Sequence, residues 1–337
     1  MTDWFVLPAG VADPAAPSGG NGYDRRVSAG LGTRDLLVPG AWPRPSEASR
    51  RELDRALAGV PDGEVVLLDG LVACGVPEVV LRHVGRLRLV VLVHLPLAEE
   101  TGLSPEVAAR LDEAEGRCSR AVAAVIATSA RAGARLVERH GLARVHVVPP
   151  GVDPAPVARG TDGVSRLLCV ASVTPRKGHD VLVKALVGVA DHPWTCAVVG
   201  PAPDPGHWGF VQELAEPCAE RFEWAGPLVG RALDDQYDAA DLFVLASRAE
   251  TYGMVVTEAL ARGVPVIASE VPDALGAGGL LLPSGDVAAW SGALRRWFED
   301  AELRTGLRAA ALARRAELST WDETVKGVGV VLASLRA

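Results

Sequence analysis

The chain is poor in cysteine and in aromatic residues, and these shortages exclude several kinds of protein. Of its 337 residues, 5% are aromatic and 5 are cysteine. An odd number of cysteines without a Cys-x-x-Cys pair is typical of neither a disulfide framework nor a zinc site, so we expect free thiols in a reducing compartment. Small aliphatic residues and glycine dominate instead. They favour an α/β protein with sizeable cores, and the length suggests two domains.

Positive charge and long apolar runs are also scarce. The formal net charge is −8, which argues against a nucleic-acid partner and, more weakly, against adsorption to anionic lipid. The longest apolar runs, such as residues 87–97, are too short to span a bilayer. Because residues 1–7 lead directly into a predicted strand, we expect no signal peptide. The prediction is a soluble, cytoplasmic protein without a transmembrane segment, and its oligomeric state is left open.

Several cofactor motifs are missing. No Gly-x-Gly-x-x-Gly opens a helix after a strand, so a nicotinamide cofactor is unsupported. No Walker loop and no Gly-x-Ser-x-Gly turn occurs. Neither an Asp-x-Asp after a strand nor a histidine–carboxylate cluster at metal-ligand spacing is found. The sequence therefore predicts no bound cofactor and no metal.

Short apolar runs alternate with helix-like stretches along the whole chain. Continuous apolar runs are typical of parallel strands that are buried on both faces. A stretch rich in Pro, Gly and Asp, residues 149–165, separates two such series. The pattern predicts two doubly wound α/β domains, residues 1–158 and 159–318, followed by a last helix within 319–337. Ligands of such sheets bind beyond the carboxyl ends of the strands, so the residues that follow each strand are the candidate site.

The predicted strands are short and evenly distributed. They cover residues 4–7, 65–68, 87–93, 123–127, 145–148, 167–170, 196–199, 222–224, 242–245, 264–267 and 280–282. The predicted helices between and after them cover residues 46–59, 104–120, 130–140, 180–189, 234–240, 287–300 and 321–335.

The most informative segment runs from Glu250 to Glu258, with the sequence Glu-Thr-Tyr-Gly-Met-Val-Val-Thr-Glu. The predicted strand 242–245 leads into it, and a helix of about residues 253–262 leaves it. Main-chain amides near Gly253 and Met254 then lie at a helix N-terminus, where the helix dipole favours an anion. One carboxylate precedes this anion site and the other lies one to two turns into the helix. An anionic ligand rich in hydroxyl groups would suit both.

This segment and its surroundings resemble the Glu-x7-Glu motif of the retaining family 4 glycosyltransferases, which have the GT-B fold. Asp-Ala-Ala-Asp-Leu-Phe-Val-Leu-Ala-Ser stands before it at residues 238–247, and Glu-Ala-Leu-Ala-Arg-Gly-Val-Pro-Val-Ile-Ala-Ser at residues 258–269. Two surface glutamates beside an ordinary turn are the plain alternative. The resemblance covers nearly all of the chain but is specific mainly in the second half. It implies two Rossmann-like domains facing a central cleft, the first on the acceptor side and the second on the donor side, with the last helix crossing back to the first.

The resemblance also implies roles for the residues of the motif. Glu250 would contact hydroxyl groups of the donor sugar and support the positive charge that develops at the anomeric carbon. Glu258 would hold the ribose diol. The departing diphosphate would be stabilised by the main-chain amides of a short donor-binding group, Tyr252, Gly253, Met254 and Val255.

A second segment, Ala-Ser-Val-Thr-Pro-Arg-Lys-Gly-His at residues 171–179, follows the predicted strand 167–170. The family usually has Gly-Arg, a short spacer and then Lys-Gly, and its arginine and lysine clamp the nucleotide diphosphate without a metal. Lys177 and Gly178 match, but Ser172 stands at the position of the arginine. Arg176 could supply the missing positive charge from another direction. A solvated Arg-Lys pair and a weaker clamp are the alternative.

Two places in the first half match the family less specifically. Residues 17–23, Pro-Ser-Gly-Gly-Asn-Gly-Tyr, read as a glycine-rich loop, and the family has such a loop facing donor phosphates and acceptor, with Gly19 and Gly20 as the matches. His94 ends an apolar strand, and many family members have a histidine near the transferred sugar. We therefore assign His94 to catalysis through contact with the donor or an oxyanion. A flexible surface loop and a satisfied core histidine are the alternatives.

These residues predict a retaining, metal-independent glycosyltransferase of the hexosyltransferase kind. It would transfer a sugar from a nucleotide-diphosphate sugar, which is a co-substrate, to a small soluble acceptor. A non-catalytic nucleotide-sugar binding subunit stays open because the arginine is missing at position 172. A GT-B sugar-nucleotide epimerase also stays open and would form product from the donor alone. The sequence leaves the donor sugar, the base and the acceptor undetermined.

Overall fold

The structure is a computed structural model that describes residues 3–12, 18–100 and 102–336. The chain divides into two compact units, the first formed by Met1–Gly151 with Ser319–Ala337 and the second by Val152–Leu318. Among the described residues, no helix is long and apolar enough to cross a membrane.

The division between the units falls slightly before residue 158, where the sequence pattern placed it. The segment after residue 151 packs with the second unit. The Ala158 amide donates to the Arg262 carbonyl oxygen at 2.8 Å, and the Arg315 guanidinium donates to the Ala155 carbonyl oxygen, also at 2.8 Å. These hydrogen bonds satisfy main-chain groups that a free linker would leave to water.

The first unit is built on a parallel sheet of β1 (Trp4–Pro8), β2 (Arg34–Val38), β3 (Val65–Asp69), β4 (Arg88–Val93), β5 (Ala124–Ala127) and β6 (His146–Val147). The strand order is β2-β1-β3-β4-β5-β6. Successive side chains alternate between the two faces, so Phe5 and Leu7 enter one core while Val6 enters the other. Burial on both faces explains why the central strands are continuous apolar runs.

The helices that cover this sheet are α1 (Gly19–Leu31), α2 (Glu47–Ala58), α3 (Gly70–Ala73), α4 (Pro77–Val80), α5 (Pro105–Ala121) and α6 (Ala130–His140). Short 3₁₀ segments occupy Ala9–Ala12 and Leu97–Glu99. Serine hydroxyls cap four of the described helices by accepting a first-turn amide hydrogen bond, namely Ser18, Ser46, Ser104 and Ser129.

The glycine-rich stretch after β1 differs from the prediction of a loop. Gly19 and Gly20 form the first turn of α1, because Ser18 caps the helix and accepts the Asn21 amide at 3.1 Å. Glycine is unfavourable in a helix, but the burial of Tyr23 against the sheet outweighs this local preference. Residues 13–17, which include the start of the predicted loop, lie outside the described residues.

The second unit repeats the architecture with β7 (Arg166–Val170), β8 (Thr195–Val199), β9 (Phe222–Gly226), β10 (Leu242–Leu245), β11 (Val266–Ala268) and β12 (Gly279–Leu281). These strands form a parallel sheet in the order β12-β11-β10-β7-β8-β9. Its helices are α7 (His179–Val187), α8 (Pro205–Ala215), α9 (Arg231–Asp238), α10 (Met254–Ala261), α11 (Pro272–Leu275), α12 (Val287–Glu299) and α13 (Ala301–Arg315). Short 3₁₀ segments occupy Pro175–Lys177 and Glu216–Arg221.

The last helix, α14 (Trp321–Ser334), belongs to the first unit. A capping box starts it: the Thr320 hydroxyl accepts the Glu323 amide, and the Glu323 carboxylate accepts the Thr320 amide at 2.8 Å. The Thr324 hydroxyl donates to the Pro149 carbonyl oxygen at 2.9 Å. Val328 and Leu332 complete one of the two cores of the first sheet.

Each sheet has a point where the chain reverses the direction in which it adds strands. In the first sheet this point lies between β1 and β3, and in the second it lies between β7 and β10. Open α/β sheets bind ligands beyond the carboxyl ends of the strands at such points. The two parallel sheets therefore confirm the predicted α/β class and direct attention to the residues that follow β1, β3, β7 and β10.

Candidate active site

Glu250 lies in the short loop that follows β10, and its carboxylate is almost fully buried. The Lys177 ammonium contacts Oε1, and the Ser247 hydroxyl donates to the same oxygen at 2.7 Å. The Arg176 guanidinium lies 3.5 Å from Oε2. The carboxylate side chain is only 7% exposed, so this arrangement is a desolvated ion cluster and not a surface ion pair.

The charges around Glu250 decide its protonation. Burial alone raises the pKa of a carboxyl group. Here the positive charges of Lys177 and Arg176, with the hydrogen bonds from Lys177 and Ser247, outweigh that effect and hold the pKa of Glu250 below its ordinary value. Glu250 is therefore an anion at neutral pH.

Lys177 reaches Glu250 because the segment between β7 and α7 turns sharply. Lys177 ends a 3₁₀ turn, and Gly178 follows with φ +65°, a conformation that favours glycine. A Cβ atom at Gly178 would lie 2.0 Å from the Ala246 carbonyl oxygen. This close approach of two main chains brings the end of β7 to the end of β10, which the sequence pattern predicted as separate parts of one site.

Arg176 is also drawn into this site. Its guanidinium donates to the Ala249 carbonyl oxygen at 3.1 Å, and its own carbonyl oxygen accepts the Arg248 amide at 2.7 Å. Its side chain is 19% exposed. Arg176 therefore contributes its charge beside Glu250, while Ser172, at the position where the family has an arginine, is half-buried at the end of β7.

A further arginine, Arg248, fixes the same loop and was missed by sequence reasoning. It binds the Asp180 carboxylate through two hydrogen bonds of 2.7 and 2.6 Å, and it donates to the Pro175 carbonyl oxygen at 2.7 Å. The bidentate geometry adds directional strength to the ion pair. Arg248 lies two residues before Glu250, but nothing in the spacing indicates a partner 68 residues away.

Glu258 lies on α10, one turn after the helix begins. The Tyr237 hydroxyl donates to its carboxylate at 2.8 Å. Burial raises the pKa of Glu258, and the hydrogen bond from Tyr237 and the charge of Arg262 oppose this only in part. Arg262 also stacks over the Tyr237 ring, 4.7 Å from its centroid. Tyr237 is a second site residue that the sequence did not reveal.

The turn before α10 brings the remaining motif residues together. Gly253 has φ +96°, and a Cβ atom there would lie 2.5 Å from the Val271 side chain. Tyr252 before it is buried, and burial raises the pKa of its hydroxyl. Met254 is the first helical residue, and the Val255 carbonyl oxygen accepts the Tyr237 hydroxyl at 3.3 Å. The amides of this first turn carry the partial positive charge of the helix N-terminus.

In the first unit, His94 follows β4 and contacts a buried aspartate on α1. Its Nε2 atom lies 2.7 Å from Asp24 Oδ1 and 3.9 Å from Asp69 Oδ2. Asp69 ends β3, which pairs with β4 so that Asp69 is level with Leu92. Gly20 faces the ring: a Cβ atom at Gly20 would lie 3.2 Å from His94 Cδ2. Gly19 is exposed at the start of α1.

Among the described residues, two groups of carboxylate and imidazole side chains lie close enough to be considered as metal ligands, Asp24 with Asp69 and His94, and Asp112 with Glu115 and His140. Hydrogen bonds within the protein already engage side chains of both groups, although Asp24 Oδ2 has no hydrogen-bond partner in the described part of the chain. In the second group, Glu115 accepts the Leu97 amide at 3.2 Å and lies 3.2 Å from His140 Nε2. In the first group, Asp69 accepts the Leu71 and Val72 amides at 2.6 and 3.2 Å. We therefore assign neither group to a metal.

Separate family models match the two halves of the chain. The model described as Glycosyltransferase Family 4 matches residues 16–156, and the model described as Glycosyl transferases group 1 matches residues 164–300. Together they cover most of the first unit, without its last helix, and most of the second unit.

Curated relatives are about 30% identical to the chain over the stretches that align with it. A D-inositol 3-phosphate glycosyltransferase of Kineococcus radiotolerans is 32% identical over 262 residues, which are 67% of this chain and 60% of that protein. The lipopolysaccharide core biosynthesis mannosyltransferase LpsB of Rhizobium meliloti is 29% identical over 281 residues, 77% of this chain and 76% of that protein. The chain thus spans about half to three fifths of the inositol-phosphate enzymes that it matches.

Solved structures share the fold over almost the whole chain. Sucrose-phosphate synthase from Thermosynechococcus elongatus is 21% identical with a TM-score of 0.81, covering 99% of both chains. Anabaena HepE in complex with UDP and glucose is 16% identical with a TM-score of 0.77, covering 99% of this chain and 100% of that one. Family models match both units, and these structures share both sheets. The chain therefore belongs to the family 4 glycosyltransferases and has the GT-B fold.

Proposed function

We propose that this protein transfers a sugar from a nucleotide-diphosphate sugar to an acceptor hydroxyl with retention of the anomeric configuration. The observation that carries the proposal is the buried cluster at the end of β10, where Glu250 is held as an anion by Lys177 and Arg176. This buried cluster holds the negative charge of Glu250 and the positive charges of Lys177 and Arg176 side by side, shielded from water. Glycosyl transfer to a hydroxyl needs both signs, because the sugar gains positive charge while the diphosphate gains negative charge.

The positive charges serve the leaving group. Lys177 and Arg176 each carry several N–H donors, so both can contact a diphosphate while they contact Glu250. The first-turn amides of α10 add the partial charge of a helix N-terminus. Such preorganised donors stabilise a charge that develops in the transition state more than one already present in the ground state.

The two glutamates bind different parts of the donor. Glu250 stays ionised, so it accepts hydrogen bonds from sugar hydroxyls and stabilises positive charge near the anomeric carbon. Glu258 has a raised pKa and a tyrosine hydroxyl on its carboxylate, and it binds the ribose diol. Tyr237 fixes the orientation of Glu258 for this contact.

The acceptor we propose is a small soluble polyol or sugar. The named relatives include inositol 3-phosphate glycosyltransferases, and the net charge of −8 does not favour an anionic membrane surface. His94 contributes a hydrogen bond to a hydroxyl of the sugar or acceptor. We further propose that the reaction takes place in the cytoplasm and needs no metal, because Lys177, Arg176 and the α10 amides meet the phosphate charge.

A thermal-shift screen with UDP-, GDP- and ADP-sugars identifies the donor. A ligand at one hundred times its dissociation constant is expected to stabilise the protein by about 2.7 kcal/mol. UDP-glucose is the first candidate, because HepE has been solved with it. The stabilising sugar nucleotide is then incubated with inositol, inositol phosphates and simple sugars, and the anomeric configuration of the product is read by NMR.

The outcomes separate the alternatives. Transfer that requires an acceptor, survives excess chelator and retains configuration supports the proposal. Product formed from the donor alone would identify an epimerase. Stabilisation without turnover of any acceptor would favour a nucleotide-sugar binding subunit, for which Ser172 in place of arginine is the specific observation. Loss of transfer in chelator, restored by magnesium or manganese, would refute metal independence.

A further inference from the structure

We propose that Asp24 is the positioning residue for His94. It holds the proton on Nε2 of the imidazole ring, so that Nδ1 is the nitrogen that His94 presents to a ligand hydroxyl. That this hydroxyl belongs to a sugar or acceptor rests on the proposed function. The arrangement of Asp24 and His94 does not, because it depends only on side chains of the first unit.

The contact between the two residues is short and shielded from water. His94 Nε2 lies 2.7 Å from Asp24 Oδ1, and the Asp24 side chain has 0% exposure. His94 follows β4, while Asp24 lies on α1 one turn after Gly20, so 70 residues of sequence separate them. The second oxygen of Asp24 is buried and has no hydrogen-bond partner among the described residues. The contact with His94 therefore gives this buried carboxylate a hydrogen bond, and Asp69 is its other titratable neighbour.

A carboxylate can only accept hydrogen bonds, so Asp24 determines which tautomer His94 adopts. The short contact requires a hydrogen on Nε2. A neutral ring then carries its lone pair on Nδ1, and a charged ring carries a second N–H there. In the part of the chain that the structure describes, no hydrogen bond is made to Nδ1, and the ring is 19% exposed. Nδ1 is therefore the ring nitrogen that a ligand can contact and whose protonation changes with pH.

Packing on two sides prevents the ring from turning. The Tyr23 ring meets it edge-on, with centroids 5.3 Å apart and planes at 70°. The Tyr23 hydroxyl donates to the Val148 carbonyl oxygen at 3.0 Å, which fixes the tyrosine in turn. On another side Gly20 leaves room for the ring, since a Cβ atom there would approach His94 Cδ2 to 3.2 Å. The orientation of His94 is therefore set before any ligand binds.

The titratable groups that face His94 come from two elements. From α1 come Asp24 and Tyr23, whose pKa is raised by burial so that its hydroxyl stays neutral. From the end of β3 comes Asp69, 3.9 Å from Nε2. Burial, together with the charge of Asp24, raises the pKa of Asp69 to about 8. The raised pKa keeps Asp69 largely protonated at neutral pH.

The balance of these effects favours a protonated histidine. Burial lowers the pKa of an imidazole, but the charge and hydrogen bond of Asp24 outweigh burial, and the pKa of His94 lies above its ordinary value. Around neutral pH, His94 then donates from Nδ1 when charged and accepts there when neutral. Without Asp24 the ring would lose this preference, and the carboxyl group of Asp69, 3.9 Å away, would be the remaining titratable neighbour of Nε2.

The direct test is a ¹⁵N NMR titration of the histidine rings in the protein, with the His94 signals identified by their loss in His94→Gln. The expected result is an Nε2–H tautomer for His94 and a pKa above about 6.5. Asp24→Asn is expected to lower that pKa by about one unit or more, since a nearby opposite charge shifts a pKa by that amount. An Nδ1–H tautomer in the parent protein would overturn the proposal even if the variant fails to fold.

A matched control is available in the same unit. His83 Nε2 contacts Asp54 Oδ1 at 2.9 Å, with the His83 ring buried and Asp54 half-buried on α2, so Asp54→Asn also removes the negative charge beside a histidine. It is expected to leave the pKa of His94 and sugar transfer unchanged. A His94 pKa that is the same in the parent and in folded Asp24→Asn would contradict the positioning role.

Kinetics provide a second readout that a purely structural role would not produce. Asp24→Asn is expected to lower kcat for transfer and to move the corresponding limb of the pH profile down with the His94 pKa, while UDP affinity stays unchanged. The pH profile could stay the same although Asp24→Asn shifts the pKa of His94. Asp24 would then position a ring that the reaction does not use, and this result would refute the contact between His94 and the ligand. If the parent protein transfers no sugar at all, the proposed function fails, and the NMR result still decides between the tautomers.

Discussion

Lys177→Met tests whether the cluster at the end of β10 is a desolvated ion pair. In the parent protein Lys177 contacts Glu250 Oε1, and the two side chains are only 17% and 7% exposed. The substitution keeps the length and apolar stem of the side chain and removes its charge. The second unit is expected to lose about 2–3 kcal/mol of unfolding free energy near pH 8. Removing one partner of a fully buried pair costs about 3–5 kcal/mol. We take a smaller value because Arg176, at 3.5 Å, still faces the carboxylate.

The sign of the pH dependence is the sharper part of this prediction. In the parent the pKa of Glu250 is lowered by folding, so its stabilising contribution is present above the ordinary glutamate pKa and is lost as the pH falls through the folded value. Without Lys177, burial is opposed only by Arg176 and Ser247, and the pKa of Glu250 rises. The carboxylate can then take up a proton at mildly acidic pH. The difference in stability between parent and Lys177→Met should therefore be largest near pH 8 and shrink toward pH 5.

Urea unfolding followed by tryptophan fluorescence measures this difference. Five of the eight tryptophans lie within residues 152–318, namely Trp194, Trp208, Trp224, Trp290 and Trp297. The signal therefore reports mainly on the second unit, whose transition is fitted separately from that of the first. Glu250→Gln and the double variant complete a mutant cycle, for which we expect a coupling of about 2 kcal/mol at pH 7.5.

Lys184→Met is the matched control, because Lys184 is exposed on α7, where it lies 5.9 Å from the Phe210 ring and its charge contributes to the lowered pKa of Asp180. Its cost should stay within about 0.5 kcal/mol and should change little between pH 5 and pH 8, because the pKa of Asp180 is lowered from an already acidic value. The reasoning is refuted if Lys177→Met behaves in the same way, or if the coupling to Glu250 is below about 0.5 kcal/mol. Either result would make the pair equivalent to a solvated surface salt bridge.

Three further predictions follow from single positions. Gly178→Ala should cost the second unit about 2 kcal/mol or more in urea unfolding, since it forces a side chain into φ +65° against a main-chain oxygen. Gly209→Ala, in a helix with nothing within 4 Å, should stabilise by up to about 1 kcal/mol, and equal effects would contradict the steric argument. Asp69→Asn should become steadily more stable than the parent between pH 5 and pH 9. The parent loses stability as the pH rises toward the raised pKa of Asp69, about 8. If the difference in stability between parent and variant did not change with pH, the Asp69 carboxyl group would not be protonated in the folded protein. Glu250→Gln should reduce turnover far more than Glu258→Gln. An amide can replace the hydrogen bonds proposed for Glu258, but it cannot replace the negative charge proposed for Glu250. Equal losses in transfer assays would contradict this.

Sequence reasoning identified every strand inside the two sheets and three of the four edge strands, β6, β9 and β12. The central strand β3 is buried at every position, so its apolar run is continuous and easily recognised. The strand β2 was missed because three of its five residues, Arg34, Asp35 and Leu37, are exposed at one edge of the first sheet. An edge strand packs on one side only, so its sequence carries half the apolar signal. The helices α8 and α13 were also missed, and both bury few of their residues.

The helix α1 was missed for a different reason, and that error hid part of the site. The glycines near its start favour a loop by local propensity, yet the buried face formed by Tyr23, Asp24 and Val27 holds the segment in a helix. Only a helix places Asp24 against His94. The sequence shows an acidic residue in a polar stretch, which is ordinarily a solvated position.

Within the second unit, the sequence revealed residues that lie in local motifs and missed their distant partners. Glu250, Glu258 and Lys177 stand at recognisable spacings from strands and helix starts. Tyr237 and Arg248 do not, because their roles depend on contacts across 21 and 68 residues. The close approach of the main chain at Gly178 to Ala246 brings Arg248 beside its partner Asp180. A single sequence contains no signal for it beyond the glycine itself.

The opposite pKa shifts of the two glutamates explain how one short motif can serve two purposes. Both carboxyl groups are desolvated, which alone would raise both pKa values. Glu250 is surrounded by two cations and a hydroxyl and stays charged, and in the proposed reaction it would lie where positive charge develops. Glu258 receives a tyrosine hydroxyl and the charge of Arg262, which oppose burial only in part, and in the proposed reaction it would make the directional contact with the diol. Environments that push two carboxyl pKa values apart distinguish an electrostatic role from a hydrogen-bonding role. The eight-residue spacing places one glutamate in the loop beside the cations and the other on the helix away from them.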